Sequence, residues 1–115
     1  MEIKIKQLSS LQKITIPYNV TSIGNNAFRN CGNLFTFVVN GNVKSVGDRA
    51  FENCDNLLDF YFLDNVESIG SYAFSGCSSL TDVAIPNSVT SIGDRAFLDC
   101  SNLKSITIPD SVTNI

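Results

Sequence analysis

The chain contains no histidine. Serine–histidine and cysteine–histidine catalytic arrangements are therefore impossible, and the commonest general base is absent. No apolar run approaches the roughly 20 residues a helix needs to cross a bilayer, so membrane insertion is not expected. The opening residues, Met1 to Leu11, lack the long apolar segment of a signal peptide. That leaves a protein that stays inside the cell or a leader further upstream. Basic residues are few: the eight lysines and arginines never form a run longer than one, against eleven acids, and the net charge is −3. A nucleic acid or an anionic membrane needs a concentrated basic face, so neither is expected as a partner. Clustered cysteines of the C-x-x-C kind are also missing, which argues against a metal centre, and nothing points to a cofactor.

What is present suffices for one folded domain. At 115 residues, with 43% hydrophobic and 17% charged side chains, a core can form without disulfides or metal. Sliding the sequence against itself by 23 positions aligns Val20, Val43, Val66, Val89 and Val112. The same shift superimposes Gly24, Gly47, Gly70 and Gly93, then Ala27, Ala50, Ala73 and Ala96, and then Phe28, Phe51, Phe74 and Phe97. It also aligns Cys31, Cys54, Cys77 and Cys100, and Leu11, Leu34, Leu57, Leu80 and Leu103, without insertion or deletion. We number the rungs from these five leucines.

Within a rung, Leu80, Val83 and Ile85 show the L-x-x-L-x-L spacing of a leucine-rich repeat. The alternating pairs Ile14/Ile16, Phe37/Val39, Phe60/Phe62, Val83/Ile85 and Ile106/Ile108 have the period of a strand with one buried face. Stacking such strands predicts one parallel sheet along the solenoid. Pro17, Pro86 and Pro109 then end the ladder, having no N–H to donate. A second extended stretch, such as Val89 to Ile92, is predicted with Val and Ile inward. The recurrent glycine is read as a positive-φ turn residue. The column Asn25, Asp48, Ser71 and Asp94 is read as N-caps for one short helical turn over A-F-x-x-C. An isolated rung buries too little apolar surface to offset the ordering of its residues, so only a stack is stable.

The string S-V-T-S-I-G-D-R-A-F-L-D-C-S-N-L-K-S-I-T-I-P, Ser88 to Pro109, resembles the BspA-like leucine-rich repeat family, and the match runs from Leu11 to Ile115. The resemblance implies a right-handed solenoid, which the residue pattern makes α/β in class, mostly β with one parallel sheet and short helical turns. It also implies adhesion or protein binding, often at cell surfaces, and carries over no catalytic residue. The chain departs from the pattern at Asn40-Gly41-Asn42 and Leu63-Asp64-Asn65, where I-P-x-S is expected.

Four cysteines at one apolar column read as buried free thiols. Asp59 and Asp82 on neighbouring rungs read as a solvated acidic ladder rather than a catalytic pair. The outward columns are more informative. Thr15, Val38, Tyr61, Ala84 and Thr107 form one, and Lys13, Thr36, Asp59, Asp82 and Ser105 another. Gln12, Phe35, Leu58, Thr81 and Lys104 form a third, whose facing the spacing leaves open. Phe35, Val38, Leu58 and Tyr61, with Leu63, beside Asp59 and Asp82, make a candidate protein-binding face. The competing reading is that these side chains fill space between rungs. Lys44 and Glu67 form a predicted inter-rung ion pair, and Asn19-Val20-Thr21 is a glycosylation sequon with meaning only in a eukaryotic secreted protein.

The two ends differ. Ile3 and Ile5 alternate with Lys4 and Lys6, a pattern for an N-terminal covering strand within residues 1–10. The last repeat stops at Ile115 before its Gly-x-x-Ala-Phe half. A longer array, or an end covered by another subunit through Ile106, Ile108, Val112 and Ile115, are the two readings, the second giving a homo-oligomer such as a two-fold dimer.

Overall fold

The computed structural model describes residues 2–3, 12–39, 42–61 and 65–115. Lys4 to Lys6, Leu11, Asn40, Gly41, Phe62, Leu63 and Asp64 lie outside the described residues.

Rungs one to four contribute two strands each and rung five one, a further strand precedes rung one, and every pairing is parallel. The first strand of each rung gives β2 (Lys13–Ile16), β4 (Thr36–Val39), β6 (Asp59–Tyr61), β8 (Asp82–Ala84) and β10 (Ser105–Thr107). These pair as β2-β4-β6 and β8-β10, with Ile14 opposite Phe37, Phe37 opposite Phe60 and Val83 opposite Ile106. The second stretch of each rung is also a strand, which corrects the expectation of one sheet. Its β1 (Glu2–Ile3), β3 (Ser22–Ile23), β5 (Ser45–Val46), β7 (Ser68–Ile69) and β9 (Ser91–Ile92) form a separate parallel sheet in that order. A bridge from Ser91 to Asn114 adds the fifth rung. The reason is the constant period. Every extended stretch finds its copy one rung away, and its polar backbone must pair with something.

The A-F-x-x-C segments are not helical, and no helix occurs among the described residues. Every second residue donates back within its rung, as Ala27 N to Gly24 O at 3.2 Å, Arg29 N to Asn26 O at 3.2 Å and Cys31 N to Phe28 O at 3.2 Å. The residues between donate forward to the next rung, as Asn26 N to Asp48 O at 2.9 Å, Phe28 N to Ala50 O at 2.7 Å and Asn30 N to Glu52 O at 2.8 Å. Sending alternate N–H groups forward requires left-handed residues: Asn26, Arg49, Tyr72 and Arg95 have φ of 55–62°, and Asn30, Asn53 and Asp99 of 59–63°. A helix would spend all of these donors inside one rung and leave the rungs untied.

Two further expectations change with it. Among the described glycines only Gly76 has positive φ. The column Gly47, Gly70 and Gly93 is glycine because a Cβ there would lie 2.4–2.7 Å from backbone atoms of the preceding rung. The Asn25/Asp48 column caps no helix either. Asn25 Oδ1 accepts from Asp48 N at 2.8 Å, and Asp48 Oδ1 from Ser71 N at 2.9 Å, so these side chains bind the backbone one rung ahead.

The core is a set of side-chain columns. Phe28, Phe51, Phe74 and Phe97 stack at 5.2–5.4 Å between ring centres, and Phe37 stacks on Phe60 at 5.2 Å. The two columns meet edge to face: Phe51 lies 4.5 Å from Phe37 and 5.2 Å from Phe60. Val20, Val43, Val66 and Val89 are fully buried, as are Leu34, Leu57 and Leu80.

Candidate functional site

Three surfaces run along the stack. The first is the outer face of the β2-β4-β6 and β8-β10 ladders. Inward alternation buries Phe37, Val39, Phe60, Val83 and Ile85. The column whose facing the spacing left open points outward: Phe35 is 41% and Leu58 49% exposed. Leu58 N donates to Phe35 O at 3.1 Å, so the two side chains come from stacked backbones. Val38 is half-buried, and Asp82, Ala84, Lys13 and Lys104 are exposed. The register sets Asp59 opposite Thr36 and Tyr61 opposite Val38. The candidate face of rungs two and three therefore lies along one ladder, with two large apolar side chains in water.

The second surface is a shallow trough of about 360 Å³ over the other sheet. Ser45, Ser68 and Ser91 line it beside Gly47, Gly70 and Gly93, with Asp48 its one carboxylate. Among the described residues no trio of Cys, Asp or Glu is placed to hold a metal.

The third is the turn edge, which gathers all three arginines of the chain. Glu52, only 8% exposed, lies 2.7 Å from Arg29 Nε and 3.0 Å from Arg49 Nη1. The Arg49 contact is a hydrogen bond, whereas Oε1 faces the Arg29 charge without one. The Arg49 guanidinium stands 4.4 Å over the Tyr72 ring, and Arg95 Nη1 donates to Tyr72 Oη at 3.4 Å. These cations are occupied by neighbours in their own stack, which makes the edge a brace between rungs. The sequence signal was available: Arg29 and Glu52 share a column, as do Arg49, Tyr72 and Arg95. Lys44 and Glu67 do pair, at 3.9 Å and well exposed, so solvent screens most of that attraction.

The cysteine column is buried and unbridged. Cys54, Cys77 and Cys100 each donate Sγ–H to the Phe carbonyl of the preceding rung, at 3.0, 3.2 and 3.1 Å. A hydrogen bond to Cys31, then burial, holds the Cys54 thiol far above its ordinary range, and burial does the same at Cys77. Burial raises Cys100 from the ordinary 9.0 to about 11. A raised folded-state value means that the neutral thiol is favoured by folding. Its contribution is complete below the ordinary 9.0 and is lost as pH rises through about 11. The hydrogen bond with Cys54 lowers Cys31 instead, so Cys54, Cys77 and Cys100 should resist iodoacetamide at pH 8, with mass spectrometry showing no adduct at these three until denaturant is added. Rapid labelling of Cys54, Cys77 and Cys100 without denaturant would contradict the buried column.

The repeat profile of the BspA type leucine rich repeat region matches residues 5–115 in six copies. The chain belongs to this family. A leucine-rich cell surface protein of Faecalibacterium prausnitzii is 43% identical to this BspA-type chain, with a TM-score of 0.83 over 90% of it and 28% of the relative. A leucine-rich repeat protein of T. pallidum is 35% identical, with a TM-score of 0.90 over 94% of this chain and 52% of that one. A third, from Bacteroides ovatus, is 29% identical, with a TM-score of 0.76 over 91% and 33%. The BspA-type repeats here thus span between about a quarter and half of the length of these relatives. No curated protein matches the chain.

Proposed function

We propose that this chain is a non-catalytic protein-binding module of a cell-surface protein, and that its contact surface is the outer ladder face of rungs two and three. One observation carries the reading: Phe35 and Leu58 stand side by side in solvent on a flat, backbone-paired support. Large apolar side chains clustered on an otherwise polar surface are what desolvated contact sites are made of. The rigid ladder below them pre-orders the face, so little conformational freedom is lost on docking. Similarity to a protein described as a cell surface protein supports the location. The double substitution Phe35→Ser, Leu58→Ser should leave thermal unfolding within a few degrees of the parent and abolish capture of its binding partner at a surface presenting that partner. Undiminished capture by the folded double variant would reject this face.

A second reading has one observation behind it. On the last rung Ile115 is 74% and Ile108 39% exposed, and Ile106 and Val112 are only half-buried, as is Phe97 on rung four. That is the face a further rung covers, whether it belongs to the same polypeptide or to a second copy. Light scattering separates the readings: growth in mass with concentration that survives the Phe35→Ser, Leu58→Ser change assigns association to the last rung.

A further inference from the structure

We infer that the segment docking on the outer face is cationic as well as apolar: it lays an aromatic or aliphatic side chain over Phe35 and Leu58 and a lysine or arginine over Asp82, one rung on. The inference rests on the reading of this face as the contact surface and adds the charge of the partner.

The ladder register fixes the charge pattern. Rung two presents Phe35, Thr36 and Val38, rung three presents the exposed Leu58, and the backbone register sets Asp59 and Tyr61 opposite Thr36 and Val38. Rung four presents Thr81, Asp82 and Ala84, with Asp82 exposed and paired in register with Ser105. Asp55, also exposed, precedes Leu58 by three residues. These outward positions hold no lysine or arginine. The basic residues of the face, Lys13 and Lys104, stand on rungs one and five. The three arginines are bound up on the turn edge against Glu52 and Tyr72. The apolar pair therefore has an exposed carboxylate at the end of rung two, Asp55, and another on rung four, Asp82.

Adjacent parallel strands lie about 4.8 Å apart, so an apolar contact at Leu58 and a charge contact at Asp82 fall within the span of neighbouring side chains on one peptide. Asp82 has no ion-pair partner among the described residues, so its charge is available to a ligand. Exposed charges of one sign at the rim of an apolar contact select the partner's sign and speed its arrival more than they add affinity. An acidic ligand of equal apolar content meets like charges and is disfavoured.

The test uses the full chain, labelled with nitrogen-15, and two synthetic peptides, Gly-Trp-Lys-Trp-Lys-Gly and Gly-Trp-Glu-Trp-Glu-Gly. At low ionic strength the lysine peptide should shift the backbone amides of residues 35–38, 58–61 and 82–84. It should bind on the order of tenfold more tightly than the glutamate peptide, and the ratio should shrink at high salt. Asp82→Lys, an exposed substitution, should remove that preference, whereas Phe35→Ser, Leu58→Ser should weaken both peptides. Equal binding of both peptides at these amides overturns the charge assignment and leaves the contact face standing. Shifts confined to other amides, or none with either peptide, overturn both.

Discussion

Replacing Phe51 by alanine should lower the unfolding free energy by about 4 kcal/mol. The ring lies between Phe28 and Phe74 in its own column and against Phe37 and Phe60 across the core, so four aromatic neighbours lose a partner together. Rungs on both sides are held by ladders of fixed register, which limits collapse around the hole, and limited collapse makes such deletions costly. Phe97→Ala, at a half-buried ring with Phe74 stacked on one side, should cost about half as much or less. Urea unfolding of the two variants at one temperature supplies the comparison. Equal losses would mean that the stack does not act as one packed unit.

Gly70→Ala should be nearly as damaging, at about 3 kcal/mol, although it adds one methyl group and needs no forbidden φ. Its Cβ would stand 2.6 Å from the backbone nitrogen of Asp48 and 2.6 Å from the carbonyl carbon of Gly47. Backbone cannot swing aside as a side-chain tip does. The rungs would have to part, stretching the 2.8 Å bond from Gly70 N to Val46 O and the Asp48 contact to Ser71 N. Gly32→Ala is the control. Its Cβ would meet only Asp55 Oδ1 at 3.5 Å, an ordinary contact, and stability should change by no more than about 0.5 kcal/mol. A mild Gly70→Ala, within the range of the control, would show that the stack can breathe at this column.

These two substitutions also mark how far the sequence could be read. Phe51 was legible, because a 23-residue shift places it with Phe28 and Phe74, and period-2 alternation identifies Phe37 and Phe60 as inward. Gly70 was legible as a constraint but not as the right one, since glycine answers equally to positive φ and to close approach. The same ambiguity produced the expected helical turn. Asn or Asp before A-F-x-x-C suits an N-cap, yet Asn25 and Asp48 accept from the next rung instead. Nothing local marks Arg49, Tyr72 and Arg95 as left-handed residues; the demand comes from the rung ahead, which a local pattern does not contain. On the candidate face, Phe35 precedes its strand, where alternation has not begun, so its exposure needed three-dimensional placement. Val38, inside the strand, was legible as outward-facing.

The forward bonds of the turn edge have an electrical consequence. Asn26, Phe28 and Asn30 donate toward rung two, Arg49, Phe51 and Asn53 toward rung three, and Tyr72, Phe74 and Gly76 toward rung four, all in one direction. Peptide dipoles aligned head to tail add, as they do in a helix. One flank of the stack thus resembles a bar magnet laid along its length, with its positive pole at the fourth rung and its negative pole at the first. The charges already follow that field in part: Arg29 sits at the negative pole, and Asp94 and Asp99 stand at the positive one.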